Sequence, residues 1–342
     1  MTNKKASSIQ TRKTEHLRIA LDNDVDSLLY TGLENIQLTH EALPEINLSE
    51  VDTKLNLFGK VLNFPLLISS MTGGNAEADL INRRLAIVAQ ASGVALGVGS
   101  QRIAIENESH DSSFQLRSFA PDILLFSNIG AVQLLQGLTV DDCKRAVNML
   151  EADALVLHLN PLQEALQIDG DHNFQGLLKK IEQVCKTLSL PVIIKEVGWG
   201  ISPRTVGLLK NIGIAAIDVA GAGGTSWSQV ESYRLKDALM AQTARNFRSW
   251  GINTVDSIRN VTKLAPKMMV FASGGLRNGI DIVKCLCLGA KLGGMANNLL
   301  KAASEGEDIL LKVINNLSRE VSICMFATGA RSLKELNQSK IL

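Results

Sequence analysis

The sequence predicts a (β/α)8 barrel behind a polar N-terminal extension. Three observations predict it: eight short apolar runs, amphipathic helix-length segments between them, and polar clusters where the runs end. Runs that are apolar at consecutive positions suit strands of a parallel sheet covered on both faces, and a helix after each strand gives the repeating unit of such a barrel. With 342 residues, 46% hydrophobic and 20% charged, the chain has apolar material for one large core and too little charge for disorder. We therefore divide it into an extension, residues 1–60, that contributes to the barrel mouth, and a barrel, residues 61–342, that carries the chemistry. A miscounted strand would leave an open, seven-unit sheet as the alternative.

The strand runs are FPLLIS from residue 64, VALGV from 94, DILLFS from 122, ALVLHL from 154, PVIIKEV from 191, AAIDVA from 215, MMVFAS from 268 and KLGGMA from 291. Helices are expected over 77–91, 139–150, 173–187, 203–211, 234–248, 254–264, 278–288 and 305–322. Thr139 ahead of Val140-Asp141-Asp142 is an N-cap, and Ser202-Pro203 puts proline in a first helical turn. Residues 221–235, GAGGTSWSQVESYRL, read as a long loop of the kind that covers a site.

Composition narrows the function. A net charge of +1 argues against a nucleic-acid footprint. The cysteines at 143, 185, 285, 287 and 324 are odd in number and lack C-x-x-C spacing, which reads as free thiols in a reducing compartment. The start, MTNKKASSIQTRKTEHL, is polar and basic, and no run of eighteen apolar residues occurs, so a soluble, cytoplasmic protein without membrane contact is expected.

Chemistry belongs at the C-terminal strand ends. There the sequence places Ser69 to Gly74, Gly99 to Arg102, Ser127-Asn128, His158 to Glu164, Lys195-Glu196, Gly221 to Trp227, Gly274 to Arg277 and Met295 to Asn297. Ordinary turn chemistry accounts for many such residues. The pair Ser273-Gly274-Gly275-Leu276-Arg277 and Gly293-Gly294-Met295-Ala296-Asn297 is more telling, because barrels form phosphate sites from backbone N–H groups after strands seven and eight. Lys195 ends an apolar strand, where an ammonium needs either a carboxylate partner or a ligand such as the electron-rich edge of a flavin. No G-x-G-x-x-G runs from a strand into a helix. TRKTEHL, residues 11–17, is either a solvated leader or a clamp in which Arg12, Lys13 and His16 close over the mouth on an anion.

Taken in order, TRKTEHL, SSMTGG, GVGSQR, HLNPLQE, IIKEVG, DVAGAGGTSW, ASGGLRNG, GMANN and MFATGA resemble the type 2 isopentenyl-diphosphate isomerase family along nearly the whole chain. The resemblance implies an FMN-linked barrel that interconverts isopentenyl and dimethylallyl diphosphate in isoprenoid biosynthesis. It also implies Mg2+, and NADPH as the reductant of the flavin. The family's FMN contacts fall on Ser70, Met71, Thr72, Ser100, Asn128, Lys195, Thr225, Gly275, Leu276, Arg277, Ala296 and Asn297. Its substrate contacts fall on Arg12, Lys13, His16, Ser100, Gln101, Arg102, His158, Asn160 and Gln163, and its metal ligand on Glu164. Flavin N5 is implied as the acid/base, with Gln163 and His158 assisting and Gln163 taking part in the second proton transfer. A homo-oligomer, tetrameric or octameric, is expected, as is a leader that orders on substrate binding. Two departures stand out: Trp250 to Thr254 lacks the family's proline, and Asn297-Asn298 replaces an arginine-proline pair, removing a positive charge near the FMN phosphate.

Rival readings fit less well. An α-hydroxyacid oxidase needs a histidine base after strand six, where DVAGAGGTSW has none. An inosinate dehydrogenase-like enzyme needs a cysteine at a strand end. A barrel that only stores flavin needs neither Glu164 nor Arg102.

Overall fold

The structure is a computed structural model that describes residues 2–71 and 76–342. Among the described residues, a hairpin, β1 (Leu55–Leu57) and β2 (Lys60–Leu62), precedes eight parallel strands. These are β3 (Leu66–Ile68), β4 (Ala95–Gly97), β5 (Leu125–Gly130), β6 (Ala154–Leu159), β7 (Val192–Glu196), β8 (Ala216–Asp218), β9 (Met269–Ser273) and β10 (Leu292–Met295). They pair in chain order, and β10 closes on β3 through Gly293–Leu66, Gly294–Leu67 and Met295–Ile68. The expected barrel is the observed one, and every strand falls inside its expected run except β5, which runs three residues past DILLFS to Gly130. The seven-unit open sheet is set aside by that closure.

The strands read as continuously apolar because both faces are buried. In β6, Leu155 and Leu157 pack outward in the large core shared with the helices, while Ala154 and Val156 point into the barrel. At its N-terminal end the barrel is filled by Phe126 stacked on Phe271 at 6.2 Å, with Phe58 edge-on at 6.3 and 6.4 Å. Leu57 and Leu62 bring the hairpin into this cluster, so that end is plugged. The hairpin straddles residue 60. The opposite end remains free for a site.

Helix boundaries follow local capping. Thr139 caps Val140–Leu150 in a capping box with Asp142, and Ser202 accepts from the Thr205 N–H at the start of Pro203–Leu209. Three expectations are corrected. The long loop at 221–235 contains the helix Trp227–Arg234, followed by Ala238–Asn246 capped by Asp237. The helix expected over 305–322 is Glu307–Ala327, and an unexpected helix, Asn297–Glu305, precedes it, parted from it at Gly306 with φ +148°. The helix expected from 173 starts at Leu177, after Gly176 with φ +83°.

The extension is the larger surprise. Thr2–Asp22 is a helix laid across the C-terminal mouth, where Leu17 is buried and Lys13 Nζ donates to the Ser100 carbonyl at 2.7 Å. The chain after it is tied to the loop following β8, with Ser27 N donating to Gly224 O and Ser226 N to Val25 O, both at 2.7 Å. Among the described residues, no helix is long and apolar enough to cross a membrane.

Candidate active site

Strand register builds the centre of the site. Gly130, His158, Lys195 and Asp218 lie side by side across β5, β6, β7 and β8. A side chain at Gly130 would put its Cβ 3.0 Å from His158 Nε2, so the glycine makes room for the ring. His158 Nδ1 lies 2.8 Å from Asn128 Oδ1, whose amide nitrogen donates to Val98 O at 3.1 Å. That orientation of Asn128 requires an N–H on Nδ1. Burial, then the charges of Lys195 and Lys13, push His158 down to about 3. The imidazole is therefore neutral at physiological pH, and its Nε2 is an acceptor.

A cavity of about 360 Å3 occupies this end of the barrel. Its floor and one wall take in Ser70, Met71, Ser100, Asn128, Lys195, Thr225, Gly275, Leu276, Arg277, Ala296 and Asn297. Thr72, with Gly73 and Gly74, lies outside the described residues. Lys195 Nζ donates to the Glu196 carbonyl at 2.7 Å and makes no ion pair among the described residues, which leaves donor capacity toward the cavity. Glu196 Oε2 accepts from four consecutive backbone N–H groups, Val197 to Gly200, at 2.5 to 3.1 Å. Burial nevertheless raises its carboxyl to about 7.

The glycine turns are in backbone contact. A Cβ on Gly224 would sit 2.5 Å from Gly275 N, and one on Gly275, at φ +77°, 2.4 Å from Gly223 O. Ser69 Oγ and Asn297 Oδ1 are buried in this lining without a partner among the described residues. Buried polar atoms demand partners, so this wall suits a polar, phosphate-bearing cofactor such as FMN. Asn297, the departure from the family pattern, opens the helix Asn297–Glu305 at this wall.

Another part of the lining is ionic. Arg12, Lys13 and His16 face the cavity from the N-terminal helix and Arg102 from the turn after β4. TRKTEHL thus lies on the N-terminal helix at the barrel mouth rather than in a solvated leader. Burial, then the neighbouring Arg102, lowers the Arg12 guanidinium, and burial, then Arg12, lowers Lys13 to about 7. Crowded cations of this kind attract an anion. Arg102 is held by Glu106 at 2.8 Å and Asp171 at 3.5 Å.

Glu164, only 6% exposed, accepts from Asn160 Nδ2 at 2.8 Å, Asp171 N at 2.7 Å and Gln167 Nε2 at 3.4 Å. Asn160 Oδ1 is buried without a partner among the described residues. Among the described residues, no group of three or more His, Cys, Asp or Glu converges on a metal position. One oriented carboxylate beside a free amide oxygen suits a Mg2+ that takes its remaining ligands from water and a substrate diphosphate.

One expected contact is corrected. Gln101 is fully buried and does not line the cavity: its Nε2 donates to Ala146 O at 2.9 Å, while its Oε1 accepts from Ser127 Oγ at 2.5 Å and Asn128 N at 3.0 Å. It fixes Asn128, and through it His158. Sequence reasoning missed Glu231. Its carboxylate, 1% exposed, holds His16 Nε2 at 2.9 Å, Arg234 at 2.6 Å and Gln163 Nε2 at 3.3 Å. Burial works to raise Glu231, but the His16 hydrogen bond and the nearby positive charges outweigh it and hold the carboxyl at about 2. The glutamate in the unusually polar stretch WSQVESYR was the available signal. None of the five cysteines lines the cavity.

A family model described as FMN-dependent dehydrogenase matches residues 138–342. Among solved structures, a flavocytochrome b2 variant with benzoylformate gives a TM-score of 0.65 at 19% identity, covering 97% of this chain and 79% of that one. A mandelate oxidase variant with an FMN adduct gives 0.59 at 18%, covering 94% and 90%. The barrel and the family model together define an FMN-dependent barrel protein. The isopentenyl-diphosphate delta-isomerase of Nostoc sp. is 48% identical over 339 residues, 99% of this chain and 97% of its own. That of Rickettsia canadensis is 46% identical over 330 residues, 96% of each. The chain belongs to the isopentenyl-diphosphate delta-isomerase family.

Proposed function

We propose that the protein interconverts isopentenyl and dimethylallyl diphosphate at reduced FMN in isoprenoid biosynthesis, with Mg2+ bound alongside the substrate and NADPH serving to reduce the flavin. The observation that carries this reading is the convergence of Arg12, Lys13, Arg102 and Glu164 in one cavity that also takes in Lys195 and the glycine turns. Bound and reduced, FMN supplies an electron-rich face and an acid/base nitrogen, N5, so a pair of protein carboxylates is not required.

The chain's own residues do the remaining work. Arg12, Lys13 and Arg102 would take the diphosphate charge, with His16 held beside them on Glu231, and Glu164 and Asn160 Oδ1 are the groups that would hold a Mg2+. Anchoring that end fixes the prenyl group against the centre of the barrel. The N-terminal helix excludes water from the mouth, which a carbocation-like species requires. His158, neutral, presents Nε2 to the cavity. Gln163, its amide fixed between Asn160 and Glu231, serves the second proton transfer. Lys195, with donor capacity left toward the cavity, is the residue that would offset the negative charge a flavin gains on reduction.

A hydroxyacid oxidase reading would require a histidine between Asp218 and Trp227, and the sequence has none there. The protein assembles as a homo-oligomer, a tetramer or octamer, a reading supported by Leu28, Tyr30, Tyr233, Leu239, Met240 and Trp250, which are left 47 to 80% exposed on adjoining segments.

The deciding experiment is anaerobic conversion of isopentenyl diphosphate by the purified protein with FMN, Mg2+ and catalytic NADPH, against the same mixture without FMN. The expected result is flavin-dependent dimethylallyl diphosphate with far less than one NADPH consumed per product. FMN binding without product would return the oxidase and storage readings.

A further inference from the structure

The turn Gly170-Asp171-His172 lies off the cavity wall, yet it touches both halves of the ionic site. Asp171 N donates to Glu164 Oε2 at 2.7 Å, and His172 Nε2 lies 3.1 Å from the Glu164 carbonyl. The Asp171 carboxylate faces the other way. Its Oδ2 accepts from Gln133 Nε2 at 3.1 Å and pairs with Arg102 Nη1 at 3.5 Å. One residue therefore joins the carboxylate that follows β6 to the arginine that follows β4, with Gln133 after β5 bracing the join.

We propose that Asp171 is a positioning residue that holds Glu164 and Arg102 in one frame, so that a metal-bound diphosphate meets its carboxylate ligand and its guanidinium at a fixed separation. The inference rests on the roles assigned above to Glu164 and Arg102.

The physical argument has three parts. First, Arg102 Nε is already committed to Glu106 at 2.8 Å. With only that contact the guanidinium could pivot about its bond to Glu106, and Asp171 at Nη1 supplies the second point that fixes its plane. Nη2, without a partner among the described residues, is the edge left for phosphate. Second, a carboxylate that binds Mg2+ needs its other lone pairs occupied if it is to point one way. The backbone N–H of Asp171 occupies one on Oε2, and outer contacts of this kind typically change metal affinity by about 10- to 100-fold when lost. Third, the close seat of the turn on Glu164 demands glycine. A Cβ on Gly170 would stand 1.8 Å from the Glu164 carbonyl oxygen.

Two substitutions separate the two links. Asp171→Asn keeps the backbone N–H and the size of the side chain but removes the charge that holds Arg102. Gly170→Ala keeps the carboxylate but lifts the turn from Glu164. Both are examined in the full-length, FMN-loaded protein in its oxidised, non-turning-over state. Isopentenyl diphosphate binding is followed by calorimetry, and Mn2+ in place of Mg2+ by electron paramagnetic resonance; steady-state KM and kcat follow under reducing conditions.

For Asp171→Asn we expect diphosphate affinity to fall about tenfold, KM to rise in step, kcat to change less, and FMN affinity to stay within about twofold. For Gly170→Ala, the Mn2+ or Mg2+ concentration for half-saturation should rise by about tenfold or more. Should Gly170→Ala not fold, Asp171→Asn decides alone. Wild-type diphosphate and metal affinity in Asp171→Asn, with only a lower melting temperature, would overturn the proposal and leave Asp171 a structural residue. Glu164→Gln serves as the control for the underlying reading. If it leaves metal dependence unchanged, the metal assignment fails and this inference fails with it; if it shifts metal dependence while Asp171→Asn shifts nothing, only this inference fails.

Discussion

Lys13 carries the clearest residue-scale consequence. Its ammonium is held down to about 7 by burial and by Arg12, and only the protonated form attracts a diphosphate. Substrate capture, read as kcat/KM, should therefore fall as pH rises through about 7. Lys13→Arg keeps the charge across this range and should flatten the alkaline limb. An unchanged limb in that variant would assign it instead to Glu196, whose carboxyl is raised to about 7. Lys195 is tested by a different observable. Among the described residues its Nζ has one acceptor, the Glu196 carbonyl, and Lys195→Ala should lower FMN affinity about tenfold or destabilise the reduced flavin. A variant with wild-type flavin fluorescence quenching, reduction potential and rate would remove Lys195 from the cofactor's surroundings.

At the scale of elements, the N-terminal helix is a wall of the site, and its docking depends on Trp227–Arg234 beneath it. His16 meets Glu231 at 2.9 Å, and Glu15 meets Arg234 at 2.9 Å. The His16 ring also stands edge-on to Trp227 at 5.1 Å. Glu231→Gln removes the shared acceptor charge and should loosen the helix by about 1.5–3 kcal/mol, the usual value of hydrogen bonds to a charged group. Hydrogen exchange over residues 10–22 should speed up and KM should rise, with the barrel strands unaffected. Uniform exchange across those residues in both proteins would separate helix docking from Glu231. The pH linkage has one sign. Glu231 is held below its ordinary value of 4.5, at about 2, so its contribution is full above 4.5 and is lost as pH falls through about 2. Substrate should protect residues 1–20 from protease, because the diphosphate adds a second anchor at Arg12 and Lys13.

At the scale of the molecule, the barrel separates stability from chemistry. Its N-terminal end is filled by the hairpin and the Phe58, Phe126 and Phe271 cluster, while the polar groups of the described site residues sit at the other end. The outer surface leaves Leu239 at 80% and Trp250 at 60% exposed, on adjoining segments. Light scattering on the purified protein should give the mass of a tetramer or octamer, and Leu239→Glu should lower it. A monomer in the unsubstituted protein would mean that these side chains serve no self-association.

The sequence by itself determined the strands and the strand-end chemistry. Consecutive apolar residues mark strands buried on both faces, and the position of a polar cluster relative to such a strand puts it at the mouth, as for His158, Glu164, Lys195 and the turn at Gly274 to Arg277. Only the tertiary structure decided what joins residues far apart in the chain. Glu231 reaches His16 across 215 positions, on a helix whose buried face is Ser228, Gln229 and Ser232 as much as Val230, so no apolar periodicity announced it. Gln101 sits beside two site residues and still turns inward to Ser127 and Asn128, since burial, not proximity in sequence, set its partners. Asp171 is distant from both β4 and β5 in the chain and gained its place between Arg102 and Glu164 when closure of the barrel brought their loops together. Local pattern is fixed by the burial of each element, whereas hydrogen-bond and ion-pair partners are fixed by the packing of elements that carry no sequence record of one another.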